Sequence, residues 1–220
     1  MLTPTRKYDT GMAALNVRLQ AALNPPSPEK KERRFGETVF REGDRVMQIR
    51  NHYDLPWKRA NGSSGTGVFN GDIGSICKIL PDKLCVDFDG RIVEYSKSQL
   101  GDLELAYAIT IHKSMGSEYE TVIIPILMAH RILLTKNLIY TAVTRAKKRV
   151  ILHRQSDTFF VRNVLLRLPH SSPICSFSAI LIERRVAAVE VLCVQIVLHL
   201  AECLAKPLEM HDLTLPQELD

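Results

Sequence analysis

In the stretch TGMAALNVRLQAAL the apolar residues Met12, Leu15, Leu19 and Leu23 recur three and four apart, and the NPPSP that follows stops the pattern. That spacing predicts a short amphipathic helix closed by proline. From KKERRF onward the period changes to two. ETVFREGDRVMQIRN, GTGVFNGDIGSICKIL and KLCVDFDGRIVEYS are short alternating runs separated by Gly, Asn and Asp, the pattern of antiparallel strands joined by tight turns. Strands this short, following a proline-rich linker, predict a small barrel inserted into a larger domain. After Leu103 the apolar runs become continuous, as AYAITI, TVIIPIL and RVIL, and alternate with the helix-like KNLIYTAVTRAKK. Continuous runs of this kind belong to strands buried on both faces of a parallel sheet.

Composition narrows the reading without deciding it. The chain has 220 residues, of which 45% are apolar and 24% charged, enough to build a globular core and too apolar for a disordered tail. Its formal charge of +5 is uneven: residues 1–153 carry +7 and residues 154–220 carry −2. A basic body favours a polyanionic partner, most simply nucleic acid, although excess lysine also serves solubility. Cys77, Cys85, Cys175, Cys193 and Cys203 form no C-x-x-C pair and are odd in number. Neither a zinc site nor a disulfide framework is suggested, and no metal site is expected; buried free thiols in a reducing cytoplasm fit better. MLTPTRKYDTG contains no apolar signal core, and Val186 to Leu204 is broken by Glu190, His199 and Glu202, so no membrane span is expected.

Two stretches invite over-reading. LCVDFDG resembles a magnesium-binding strand end, but its alternation of Leu84, Val86 and Phe88 with Asp87 and Asp89 fits a hairpin strand closing in an Asp-Gly turn. NGSSGTG is glycine-rich, yet no G-x-x-x-x-G-K-S/T occurs in the chain, so it reads as a barrel loop.

Two motifs carry chemistry. In AITIHKSMGSEY, a strand ends in Thr110, His112, Lys113 and Ser114, donors of different reach, and Gly116 allows a turn to come close to a ligand. Such a rim suits a phosphate backbone, held without base readout. Spacing alone favours the plainer reading, in which Thr110 and Ser114 cap the next turn and His112 sits in the core. In NLIYTAVTRAKK, Thr141 and Arg145 would share one face of a helix and Leu138 and Ala142 another. A lone helical arginine is usually solvated. Here the small uncharged neighbours and the following basic pair suit Arg145 to reach a phosphoryl group across an interface.

AYAITIHKSMGSEYETVIIPI followed by LLTKNLIYTAVTRAKKRVIL resembles motifs V and VI of superfamily 1 DNA helicases of the RecD-like branch. LTPTRK with TGMAALNVRLQAALNPP resembles the segment around motif IV, and FREGDRVMQIRNHYDLPW with GVFNGDIGSI resembles the family's inserted SH3-like barrel. The resemblance runs in family order over residues 2–152. It implies an α/β chain: a partial RecA-like parallel-sheet lobe with an inserted SH3-like antiparallel β-barrel and a helical C-terminal tail. Residues 1–28 would start the second motor lobe, 35–103 form the barrel, 104–153 carry motifs V and VI, and 154–220 form a divergent tail with a helix from about Ser178 to Ala205.

The resemblance also implies roles. Arg145 would be the arginine finger on the ATP γ-phosphate and Arg6 a second phosphate-sensing arginine. Thr110, His112, Lys113 and Ser114 would grip single-stranded DNA, and Gly116 and Glu118 would line the cleft between strand and nucleotide. In the barrel, Arg50, Asn51 and Asn70 would guide the strand, a choice that rests on an exposed loop face and not on a motif match. ATP and Mg2+ are expected only in a complete two-lobe enzyme, since the phosphate loop belongs to an N-terminal lobe; the chain alone would bind neither and hydrolyse nothing. Met115 stands where the family has Gln, and after Leu152 the resemblance ends. Two other readings accompany this one: a free-standing single-strand-binding module without catalysis, and a non-functional remnant.

Overall fold

The computed structural model describes residues 1–7, 11–126, 130, 133, 135–154 and 178–183. Helix α1 (Met12–Leu23) forms where the periodicity predicts it, burying Met12, Leu15 and Leu19 while Leu23 stays exposed. Leu15 and Leu19 pack against Ala108. Its polar face is also buried, at Asn16 and Gln20. Asn16 donates to the carbonyls of Leu105 (2.7 Å) and Ala108 (3.0 Å) and accepts the Ala108 N–H (2.7 Å). One side chain thus satisfies three backbone groups and ties the helix to the segment leading into the HKS motif.

The middle of the chain is antiparallel. Strands β2 (Glu32–Phe35) and β3 (Thr38–Arg41) form a hairpin. A seven-stranded sheet follows, built from β4 (Arg45–Gln48), β5 (His52–Lys58), β6 (Ser64–Val68), β7 (Ile73–Ile79), β8 (Lys83–Phe88), β9 (Arg91–Ser96) and β10 (Leu103–Leu105), in the order β10-β4-β7-β8-β9-β5-β6. Its core holds Phe40, Val46, Ile76, Leu84, Val86, Phe88, Val93 and Tyr95. The expected β8–β9 hairpin turns at Asp89 and Gly90, both at positive φ (54° and 80°), which is why Gly follows Asp there. NGSSGTG lies in the β5–β6 connection and β6, as a barrel loop.

Asp44 joins barrel and lobe. It is fully buried and accepts from the Asn24 side chain (2.7 Å), the Arg41 N–H (2.7 Å), the Tyr107 hydroxyl (2.9 Å) and the Gln20 amide. Those donors come from α1, its C-terminal end, the last residue of β3 and the lobe segment. Burial, and next the Asp44 charge, push the Tyr107 hydroxyl well above the usual tyrosine range, so it remains a donor at any working pH.

The lobe itself is parallel, as expected. β1 (Leu2–Thr3) pairs with β11 (Ile109–Thr110), and β12 (Tyr119–Ile126) pairs with β13 (Ala146–Arg154), which pairs with β14 (Ser178–Glu183). Leu2, Ile109, Ile111, Val122, Ile124, Ile139, Ala142, Val150 and Leu152 share one core. Helix α2 (Lys136–Val143) packs on it, with the Thr135 hydroxyl accepting the Leu138 N–H as N-cap.

Three expectations change. Ser178–Glu183 is a strand on the open edge of β13, not the start of a helix; a short apolar run is ambiguous by periodicity, and an unpaired neighbour decides it. The remainder of the predicted tail helix lies outside the described residues. Cys85 is buried but Cys77 is exposed, because the register shift between Ile76 and Lys78 turns two successive residues outward. Cys175, Cys193 and Cys203 lie outside the described residues. Finally, α2 ends at Val143, so Arg145 stands in the turn before β13 and does not share a helix face with Thr141. The Thr141 hydroxyl instead donates to the Asn137 carbonyl (2.8 Å).

Candidate functional site

β11 runs through Ile111 into a single 3-10 turn, His112–Ser114, and Gly116 follows with φ 84°, a conformation that favours glycine. The turn is held from within. Thr110 Oγ1 accepts the Lys113 N–H (3.3 Å), and Ser114, fully buried, donates its hydroxyl to the Ile111 carbonyl (2.7 Å). The N–H groups of Ser114, Met115 and Ser117 also find carbonyls inside the turn. Ser114 is therefore corrected from a ligand contact to a residue that shapes the rim, and Thr110 braces it. His112 is exposed, not in the core, and Lys113 is half-buried beside it. The presented groups are the imidazole and the ammonium.

Lys113 does not point freely to solvent. Its Nζ lies 2.6 Å from Glu104 Oε2, while the other oxygen of the same carboxylate binds Arg6. Sequence reading missed Glu104: an acid in a β-strand reads as an outward residue, and no spacing links it to Arg6 or Lys113. A second acid, Asp102, takes Arg50 (3.5 Å) and His52 (2.7 Å) in the same way. Beside Arg50, the Asn51 side chain accepts the Asn70 N–H (2.8 Å), so the structure brings these three expected barrel residues to one rim. Gln48, buried beneath, donates to the Arg50 carbonyl (2.8 Å) and accepts from Tyr95 (2.8 Å), fixing that rim to the core.

On the other side of the Gly116 turn stands Arg145. Its guanidinium reaches the Ser117 carbonyl and Thr144 Oγ1 only at 3.4 Å each, and its Nε is buried without a hydrogen-bond partner. A buried donor left unmade is costly, so the fork retains capacity for an anion. Its own carbonyl accepts the Tyr119 N–H (2.8 Å), which clamps the turn before β13 against the start of β12. Glu118 is exposed and paired with Lys147 (3.3 Å), and it lines, with Arg45, Tyr119 and Glu120, a cleft of about 650 Å³. Gly116 and Glu118 thus connect the Lys113 rim to Arg145 through a few residues of chain. Among the described residues no group of three or more His, Cys, Asp or Glu is arranged to hold a metal ion, and no helix is long and apolar enough to cross a membrane.

The barrel and the lobe each match a family model. The ATP-dependent RecD-like DNA helicase SH3 domain matches residues 15–88, and the UvrD-like helicase C-terminal domain matches residues 105–153. The ATP-dependent RecD2 DNA helicase of Deinococcus radiodurans is 40% identical over 149 residues, covering 68% of this chain and 19% of that protein. The RecBCD enzyme subunit RecD of Mycobacterium tuberculosis is 40% identical over 88 residues, covering 39% of this chain and 15% of its own. A Bacteroides Pif1 structure bound to ssDNA aligns with a TM-score of 0.43 at 19% identity, over 66% of this chain and 38% of that one. The chain therefore spans less than a fifth of the length of the two curated relatives. Matched across the barrel and across the lobe segment that holds Lys113 and Arg145, it belongs to the RecD-like DNA helicase family.

Proposed function

We propose that this chain provides the second-lobe half of an ATP-driven, RecD-like motor: a rim that holds the backbone of single-stranded DNA and an arginine finger that acts on ATP bound by a first lobe. One observation carries the reading. The Gly116–Glu118 turn joins the Lys113 rim directly to Arg145, whose under-bonded fork faces that turn, so a strand step at one end bears on the nucleotide side at the other. His112 and Lys113 meet phosphates; Thr110 and Ser114 keep the turn in shape. Arg50, Asn51 and Asn70 extend the track onto the barrel. Arg145 suits the γ-phosphate of ATP, where a planar fork stabilises charge on the transferring oxygens. The nucleotide with its Mg2+ supplies the phosphoryl-transfer chemistry when bound, and the phosphate loop that would cradle it does not occur in these 220 residues. On this reading the chain alone grips DNA and does not hydrolyse ATP.

Titrating the purified chain against a fluorescent single-stranded oligonucleotide over a salt series tests the grip. The expected result is binding that falls steeply with salt and weakens when Lys113 is replaced by Ala. Salt-independent binding, or binding indifferent to Lys113, would remove the reading's basis.

A further inference from the structure

Arg6 and Lys113 come from separate segments of the lobe, one after β1 and one after β11, yet both cations rest on the two oxygens of a single carboxylate, Glu104. The parallel pairing of Thr3 with Thr110 sets this up, because it places the chain ends that follow the two strands side by side. Glu104 reaches them from β10, whose neighbours Leu103 and Leu105 are buried in the barrel core. The barrel thus lends an anion to two cations of the lobe. The Arg6 side chain is 56% exposed and those of Lys113 and Glu104 are 23% and 24% exposed, so solvent and ligands can reach the cluster.

Two cations converging on two oxygens of one planar anion form a geometry that a phosphate, also offering paired oxygens, can take over. We propose that Arg6 and Lys113 together form one anion site, that Glu104 fills it from within, and that a backbone phosphate of single-stranded DNA displaces Glu104 when the strand binds. Arg6 then belongs with the strand contacts and not beside the nucleotide. The inference rests on the strand-grip reading above and sharpens it. Glu104 acts as a competitor: it lowers affinity for any strand, weakens non-specific retention, and keeps the two side chains in position between binding events.

The test uses the full chain as wild type, Glu104→Gln, and Glu104→Gln combined with Arg6→Ala or Lys113→Ala. Anisotropy of a fluorescent oligothymidylate is followed over a salt series, with circular dichroism to verify folding and Glu104→Ala as substitute if the Gln variant unfolds. Removing the competing carboxylate is expected to tighten binding about three- to tenfold at low salt and to steepen the log–log salt slope by up to about 0.7, because one more positive charge then faces the strand uncompensated. The gain should vanish in both double variants. Glu104→Gln binding no tighter than a wild type that does bind would overturn the inference while leaving the grip standing. A wild type that fails to bind would overturn the grip reading, and the anion site is then decided by thermal shift with inorganic pyrophosphate. A larger stabilisation of Glu104→Gln than of wild type supports the site, and equal shifts overturn it.

Discussion

Replacing Asp44 by Ala should be among the most damaging single changes in this chain, although Asp44 touches no expected ligand. Its carboxylate receives four donors: the side-chain amides of Gln20 and Asn24, the Arg41 N–H and the Tyr107 hydroxyl. Each donor left buried without an acceptor costs about 1–3 kcal/mol, which for four gives about 4–12 kcal/mol before relaxation. Removing a buried carboxylate also relieves its desolvation, and water entering the gap recovers part of the rest, leaving about 3 kcal/mol as the net loss. Since whole domains are stable by only about 5–15 kcal/mol, that loss is large. Trp57, the chain's one tryptophan, sits in β5 of the barrel and reports unfolding by fluorescence. With a urea dependence of about 1–3 kcal/mol per molar, the midpoint should fall by about 1–3 M. Asp44→Asn should fall less, because one oxygen is kept, but still measurably, because the new amide points donors at donors. An unchanged midpoint for Asp44→Ala would refute the idea that this residue couples barrel and lobe.

Other outcomes follow from the same structure. Lys113→Ala should reduce the salt slope of single-strand binding by about 0.7 while leaving the urea midpoint nearly unchanged, as expected for one phosphate contact on a half-exposed side chain. Gly11→Ala should destabilise the chain by about 1–3 kcal/mol in the same urea assay, because a Cβ there would lie 2.1 Å from the Lys7 carbonyl oxygen and force Lys7 and Gly11 apart. Glu42 accepts the Ile79 N–H (2.8 Å) and the Lys31 N–H (3.2 Å), and the Ile79 bond first of all holds its carboxyl below the ordinary value of 4.5. Its folded-state value being depressed, the stability it contributes is complete above 4.5 and is lost as pH falls through the lower folded value. Glu42→Gln should therefore flatten the acid limb of a stability–pH curve; an unchanged limb would argue that Glu42 is a bystander.

How far the sequence could be read depended on the distance over which each fact is decided. The apolar face of α1, the alternating strands and the Asp89–Gly90 turn follow from local period and turn chemistry, and they form as expected. The buried polar face of α1 was not legible. Asn16 and Gln20 look like solvent-facing residues until Leu105, Ala108 and Asp44 arrive from far along the chain to satisfy them. The same holds at the site. Lys113 and Arg145 stand out by motif, but the Glu104 carboxylate that joins Lys113 to Arg6 exists only once β1 and β11 pair and β10 docks on β4. Arg145 was misplaced by the opposite error, an extrapolated helix that stops at Val143, as the chain turns into β13.

If Arg145 completes a nucleotide site that another lobe begins, its removal should stop hydrolysis without unfolding the chain. The most direct measurement is ATP hydrolysis by this chain mixed with a separately purified first lobe of a RecD-like helicase, with and without single-stranded DNA. No hydrolysis is expected from this chain alone, DNA-stimulated hydrolysis is expected from the mixture, and Arg145→Ala should lower that rate about a thousandfold, the scale on which arginine fingers act. A folded mixture that hydrolyses ATP equally well with Arg145→Ala would contradict that role.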